Sequence, residues 1–218
     1  MATSPTRSLL AAGLCLWALL TTGCRNEADF VGLEDGDVAD GVYSNAFLGL
    51  TLPVPSPWEE IPPDALADAM PSGGLARGKG EAADPVALLL VLQRPTERAD
   101  PSIAAVTLGL AAEKLSFAPG IRSGRDYLFQ LRKAMLANGF PERDLNAIED
   151  LELGGSLFST FEVPVRHGDA YLRQRYYAAV RKGCVLLITA TFSSYTEGAM
   201  IRETLNAMTL EGDAATEE

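Results

Sequence analysis

The chain has 218 residues, with 18 lysines and arginines against 29 aspartates and glutamates, a formal net charge of −11. That length is ample for one buried core. So acidic a balance excludes nucleic acid as a partner, because its binding needs concentrated Lys and Arg, and excludes an electrostatic grip on anionic lipid head groups.

The first 24 residues come first in the chain and in importance. Arg7 supplies a positive start, residues 9–20 form an apolar run too short to span a bilayer, and the segment ends Leu19-Leu20-Thr21-Thr22-Gly23-Cys24. This resembles the signal peptide and lipobox of a bacterial lipoprotein, although Thr21 stands where Leu is commonest. The resemblance implies cleavage between Gly23 and Cys24 and diacylation of Cys24 through its sulfur. The alternative is an ordinary secretory signal that ends by chance in a cysteine. With lipidation, the acyl chains alone hold the membrane; each buried CH₂ contributes about 0.8 kcal/mol, and two or more chains anchor stably where one does not. Cys15 leaves with the signal and Cys24 takes lipid, so Cys184 stays alone in the mature domain and no intrachain disulfide forms there.

Residues 24–40 are acidic and poorly periodic, and read as a lipidated tether. A single globular domain is expected over 41–210, followed by an acidic disordered tail over 211–218. Residues 47–55 read as a strand closed by prolines, with Trp58 after it. Residues 62–85 are rich in Pro, Gly, Ala and Asp and read as an irregular excursion with one short helix over 65–70. The apolar runs 86–93 and 103–110 read as strands. Ser123 and Asp126 then mark a helix start, Leu128, Leu131 and Met135 give it an apolar stripe, and Gly139 and Pro141 stop it.

Leu151-Glu152-Leu153, the turn Gly154-Gly155, the alternating segment 157–165, the turn Arg166-His167-Gly168-Asp169, the alternating segment 171–180, the turn Arg181-Lys182-Gly183 and the apolar run 185–192 form a meander of antiparallel strands. A last helix is expected over 196–208, with Ile201, Leu205 and Met208 inward. This order, strands then helix then meander then helix, predicts an α+β fold: an antiparallel sheet packed against helices, not a doubly wound parallel sheet.

Three features resemble the PsbP-like superfamily, an α/β/α sandwich: the opening Tyr43-Ser44-Asn45-Ala46-Phe47-Leu48-Gly49-Leu50 with prolines and Trp58 after it, the meander carrying Arg173-Gln174-Arg175-Tyr176-Tyr177, and the closing Ala207-Met208-Thr209-Leu210. Members of that superfamily include the extrinsic subunit of the photosynthetic oxygen-evolving complex, a Ran-binding nuclear import factor and DcrB-like bacterial envelope lipoproteins. The lipobox places this chain nearest the last group. The resemblance implies binding or assembly more than catalysis, while a shared fold does not fix function.

The residues themselves suggest no reaction. His167, the sole histidine, sits in a turn and reads as solvated; Cys184 heads an apolar run and reads as a small hydrophobe. Nucleophile, zinc, phosphate-loop and dinucleotide motifs are absent, so neither a cofactor nor a metal is expected. Glu59-Glu60 and Glu149-Asp150 are adjacent pairs, which on a strand face opposite ways. The polar cluster singled out is Arg173, Arg175 and Arg181, which share one strand parity with Tyr171 and Tyr177 and line one face of the meander if no bulge intervenes. Such a face suits a carboxylate or a protein partner; the competing reading has the arginine stems covering the sheet and pairing with acids. The expectation is therefore a non-enzymatic envelope lipoprotein that faces the periplasm, with the outer membrane preferred over the inner and another envelope protein as partner. The alternative is a small-molecule binder or hydrolase with a pocket near residues 71–85.

Overall fold

The computed structural model describes residues 30–61, 86–94, 106–115, 120–167 and 170–211. Within them two antiparallel sheets and two helices form an α+β fold. The larger sheet has seven strands: β4 (Glu59–Glu60), β5 (Val86–Arg94), β6 (Val106–Lys114), β10 (Cys184–Phe192), β9 (Ala170–Arg181), β8 (Ser156–His167) and β7 (Glu149–Leu153), in that spatial order. The smaller contains β1 (Asp37–Ala39), β2 (Val42–Asn45), β3 (Leu50–Pro53) and β11 (Thr209–Leu210). Helix α1 (Gly124–Ala137) packs on β8 and β9, and α2 (Tyr195–Asn206) packs on β10 and touches β3 and β7.

Both helices start where local chemistry dictates. Ser123 accepts from the Asp126 amide while Asp126 accepts from the Ser123 amide, and Ser194 and Glu197 repeat this reciprocal cap on α2. The expected helix over 196–208 is thus present, one residue earlier at its start. The Gly154-Gly155 turn has φ of 55° and 76°, the left-handed pair a two-residue hairpin requires. Strands β8, β9 and β10 pair without a break in register, so the meander runs as the sequence predicts.

The large sheet is buried on both faces. Between it and α1 lie Tyr127, Leu128, Leu131, Met135, Phe161, Val163 and Tyr176. Against its other face pack α2 and the small sheet, enclosing Tyr43, Leu50, Leu92, Leu108, Phe158, Tyr177, Phe192, Ile201 and Leu205. Burying each such side chain stabilises the fold by roughly 1.5–3 kcal/mol. Cys184 lies in this second core, fully buried, as expected of a small hydrophobe.

Two expectations need correction. The strand near residue 50 does not join the main sheet: it pairs with β2 and with β11 at the far end of the chain, Leu50 opposite Leu210. The tether expected over 24–40 also ends earlier. Leu33 is 1% exposed, Phe30 packs beside the same core, and the Asn45 amide holds the Leu33 carbonyl at 2.8 Å. Two apolar anchors and β1 outweigh the acidic composition of that stretch. The signal segment with Gly23 and Cys24, the helix over 65–70, the loop over 71–85 and the tail over 212–218 lie outside the described residues.

Candidate functional site

The hairpin β8–β9 is the longest in the described fold, and its two strands divide along their length. On the face shared with α2, the cross-strand pairs run Thr160 with Tyr177, Glu162 with Arg175, Pro164 with Arg173 and Arg166 with Tyr171, with Phe158 and Ala179 in the same core as Tyr177 beyond them. From Glu162 outward, the same face emerges from beneath α2 and carries charge.

Glu162 is the hub. Arg175 donates through Nε and Nη2 to one carboxylate oxygen at 2.9 and 2.5 Å, and Arg173 donates through Nη1 to the other at 2.6 Å. The glutamate side chain is 9% exposed, that of Arg175 27% and that of Arg173 38%, so the clamp tightens inward and opens outward. Desolvation opposes the charge on Arg175, but Tyr177 and Glu162 outweigh it and hold the guanidinium more basic than usual. Burial pushes the Tyr177 hydroxyl up, partly offset by Arg175.

Aromatic rings support the arginines. Arg173 lies 4.4 Å from the Tyr195 ring centre, Arg175 5.5 Å from Phe192 and Arg166 4.6 Å from Tyr171. The cap at Ser194 fixes Tyr195 as the first residue of α2. Gly198 lets the helix lie on Phe192; a β-carbon there would stand 2.8 Å from that ring and push it. Tyr171 and Tyr195 remain 64% and 71% exposed.

The five residues singled out from the sequence therefore share one face, but not one environment. Arg173, Arg175 and Tyr171 meet at its outer end. Tyr177 is 1% exposed and belongs to the core, and Arg181 is 6% exposed at the opposite end of β9, where Nη2 donates to the Glu211 carbonyl at 2.9 Å. These two do not reach a solvent-facing patch: Tyr177 shares the core with Ile201 and Leu205 of α2, and Glu211 lies against Arg181. Glu162, Arg166 and Tyr195 complete the cluster and were missed. Glu162 was within reach of the sequence, since it alternates with Phe161 and Val163 on the segment 157–165; Arg166 reads as turn in the sequence, whereas the structure keeps it on β8 opposite Tyr171. Tyr195 was not within reach, because it arrives from another element.

Other titratable groups sit apart. Burial raises the Glu113 carboxyl to about 8, with the Tyr127 hydroxyl donating to it, and Glu113 Oε2 has no hydrogen-bond partner. Burial raises the Cys184 thiol to about 11, which leaves it a poor nucleophile. Asp150 accepts from Ser159 and Arg125, both at 2.7 Å, and these bonds lower its pKa; Glu59 and Glu60 are exposed on β4. Among the described residues no group of three His, Cys, Asp or Glu side chains is placed to hold a metal, and no helix is long and apolar enough to cross a membrane.

No family model matches the chain, and no curated protein matches it. Solved structures do resemble it. Cyanobacterial PsbP (CyanoP) from Synechocystis sp. PCC 6803 aligns over 81% of this chain and 96% of its own, at 14% identity and a TM-score of 0.47. LpqN, involved in cell envelope biogenesis of Mycobacterium tuberculosis, aligns over 75% and 83%, at 15% identity and a TM-score of 0.40. A protein of Bacteroides thetaiotaomicron VPI-5482 aligns over 77% of this chain at 8% identity and a TM-score of 0.44, and this chain spans about half, 47%, of that protein's length.

Proposed function

We propose that this protein is an envelope lipoprotein, cleaved after Gly23 and acylated on Cys24, that works without catalysis as a docking or assembly factor and meets another envelope protein through the outer end of the β8–β9 hairpin. The observation that carries this reading is the stacked arginine–tyrosine face. Arg166, Arg173 and Tyr171 stand outside the core, braced by Glu162, Arg175 and Tyr195. Arg and Tyr are the types enriched where binding energy concentrates, and a braced side chain loses less entropy on contact. The lipobox supports the anchor.

Crosslinking in cells followed by mass spectrometry tests the docking. Recovery of one envelope protein, lost in an Arg166→Glu, Arg173→Glu double variant that still folds, is the expected result; a partner retained at full yield refutes this face as the docking surface. Cys24→Ser should release the protein from the membrane fraction and stop lipid labelling, and unchanged retention with unchanged labelling refutes the anchor.

A further inference from the structure

Resting on the docking reading, we infer that the hairpin face recognises an extended acidic segment whose carboxylates fall on alternate residues. Arg175 is already committed, with two of its nitrogens on Glu162. Arg173 gives Glu162 one nitrogen and lies over Tyr195; Arg166 lies over Tyr171, with no carboxylate at ion-pair distance among the described residues. A guanidinium stacked on a ring leaves its edge of N–H donors outward, the arrangement that takes a carboxylate in two parallel hydrogen bonds.

The spacing sets the ligand. Arg166 faces Tyr171 across the hairpin and Arg173 lies two residues further on, so the arginines are diagonal neighbours, about 7–8 Å apart at their bases. Alternate side chains of an extended peptide project from one face about 6.6 Å apart. Carboxylates at positions i and i+2 therefore reach both guanidiniums at once, whereas adjacent ones point to opposite faces. This face carries three arginines, two of them on the single carboxylate of Glu162 and Arg166 beyond it, a local positive excess among the described residues on a chain of net charge −11. An anionic bilayer repels the chain as a whole, which favours an acidic strand of protein over lipid phosphate.

Two dye-labelled peptides of identical composition, one with glutamates at alternate positions separated by serine and one with the glutamates contiguous, distinguish the possibilities when titrated by fluorescence anisotropy against the purified protein. The alternating peptide should bind at least about fivefold more tightly, and Arg166→Gln and Arg173→Gln should each remove that preference. Arg173→Lys should fail to restore it, since an ammonium offers charge without the planar fork. Equal binding of the two peptides, a Lys variant as good as Arg, or tighter binding to phosphatidylglycerol vesicles than to the alternating peptide overturns the inference. If the peptides fail while the crosslinked partner is still lost in the double variant, the docking reading stands and the acidic-strand inference falls. If the alternating peptide binds as expected and no envelope protein is recovered, the inference stands and the docking reading falls. Circular dichroism on each variant confirms that it is folded.

Discussion

The inner and outer halves of the β8–β9 hairpin share a register, a parity and a neighbouring strand, yet one half is core and the other is surface. On the inner half, Phe158 and Tyr177 lie under α2 and the small sheet at 0% and 1% exposure. On the outer half, the same face carries Glu162, Arg173, Arg166 and Tyr171. The reverse face is buried along its middle, under α1, with Phe161 stacked on Tyr176 at 5.1 Å between ring centres and Val163 and Leu172 buried. Strand parity decides which way a side chain points; what lies above that face decides whether it meets oil or water.

The sharpest way to break the comparison is to empty the inner half. Phe158→Ala should cost about 3–5 kcal/mol, read as a large fall in the denaturation midpoint; a loss under about 1 kcal/mol would mean that this half is not the packed core described here. The other face of the sheet offers the next effect. Glu113 carries a pKa raised from 4.5 to about 8 by burial. In that window the unfolded chain gives up a proton that the folded chain keeps, so stability should fall as pH rises from 4.5 to 8 and level off beyond. Glu113→Gln removes the cost of that buried acid and should flatten the curve, with a gain of up to a few kcal/mol at pH 8, checked by urea titrations across pH. A wild-type profile left unchanged by the substitution would refute the buried acid as its source.

Smaller effects belong to the outer half. Glu162→Gln leaves two arginines short of a counter-charge in a partly buried place and should cost about 1–3 kcal/mol. Tyr171→Ala, at a 64% exposed position, should stay within about 0.5 kcal/mol of wild type while weakening partner capture. A Tyr171 variant that loses stability without losing the partner would reverse the assignment of that half.

What could be foreseen from the sequence follows the same division between local and distant causes. The start of α1 was legible because Ser123 and Asp126 cap each other three residues apart. The alternation of Arg173, Arg175, Tyr177 and Arg181 was legible because a strand without bulges keeps its parity. The fates of Tyr177 and Arg181 were hidden, since the elements that cover them come from later in the chain, beyond the range of strand parity: Ile201 and Leu205 share the core with Tyr177, and Glu211 meets Arg181. The small sheet was hidden for the same reason, because pairing Leu50 with Leu210 leaves no short-range trace. Leu33 was missed because one buried leucine among acids does not alter the composition of its neighbourhood.

One contact fixes where the described chain starts relative to the arginine face. Phe30, the first described residue, lies under the Lys114 ammonium at 5.4 Å and beside Gly183, at the turn that follows β9. Arg166 and Tyr171 stand at the other end of that strand, whose 12 residues span about 36 Å. The start of the described chain and the exposed arginines therefore lie at opposite ends of β9. The proposed acidic segment would then meet the domain at the end of β9 remote from Phe30, across the full length of the sheet.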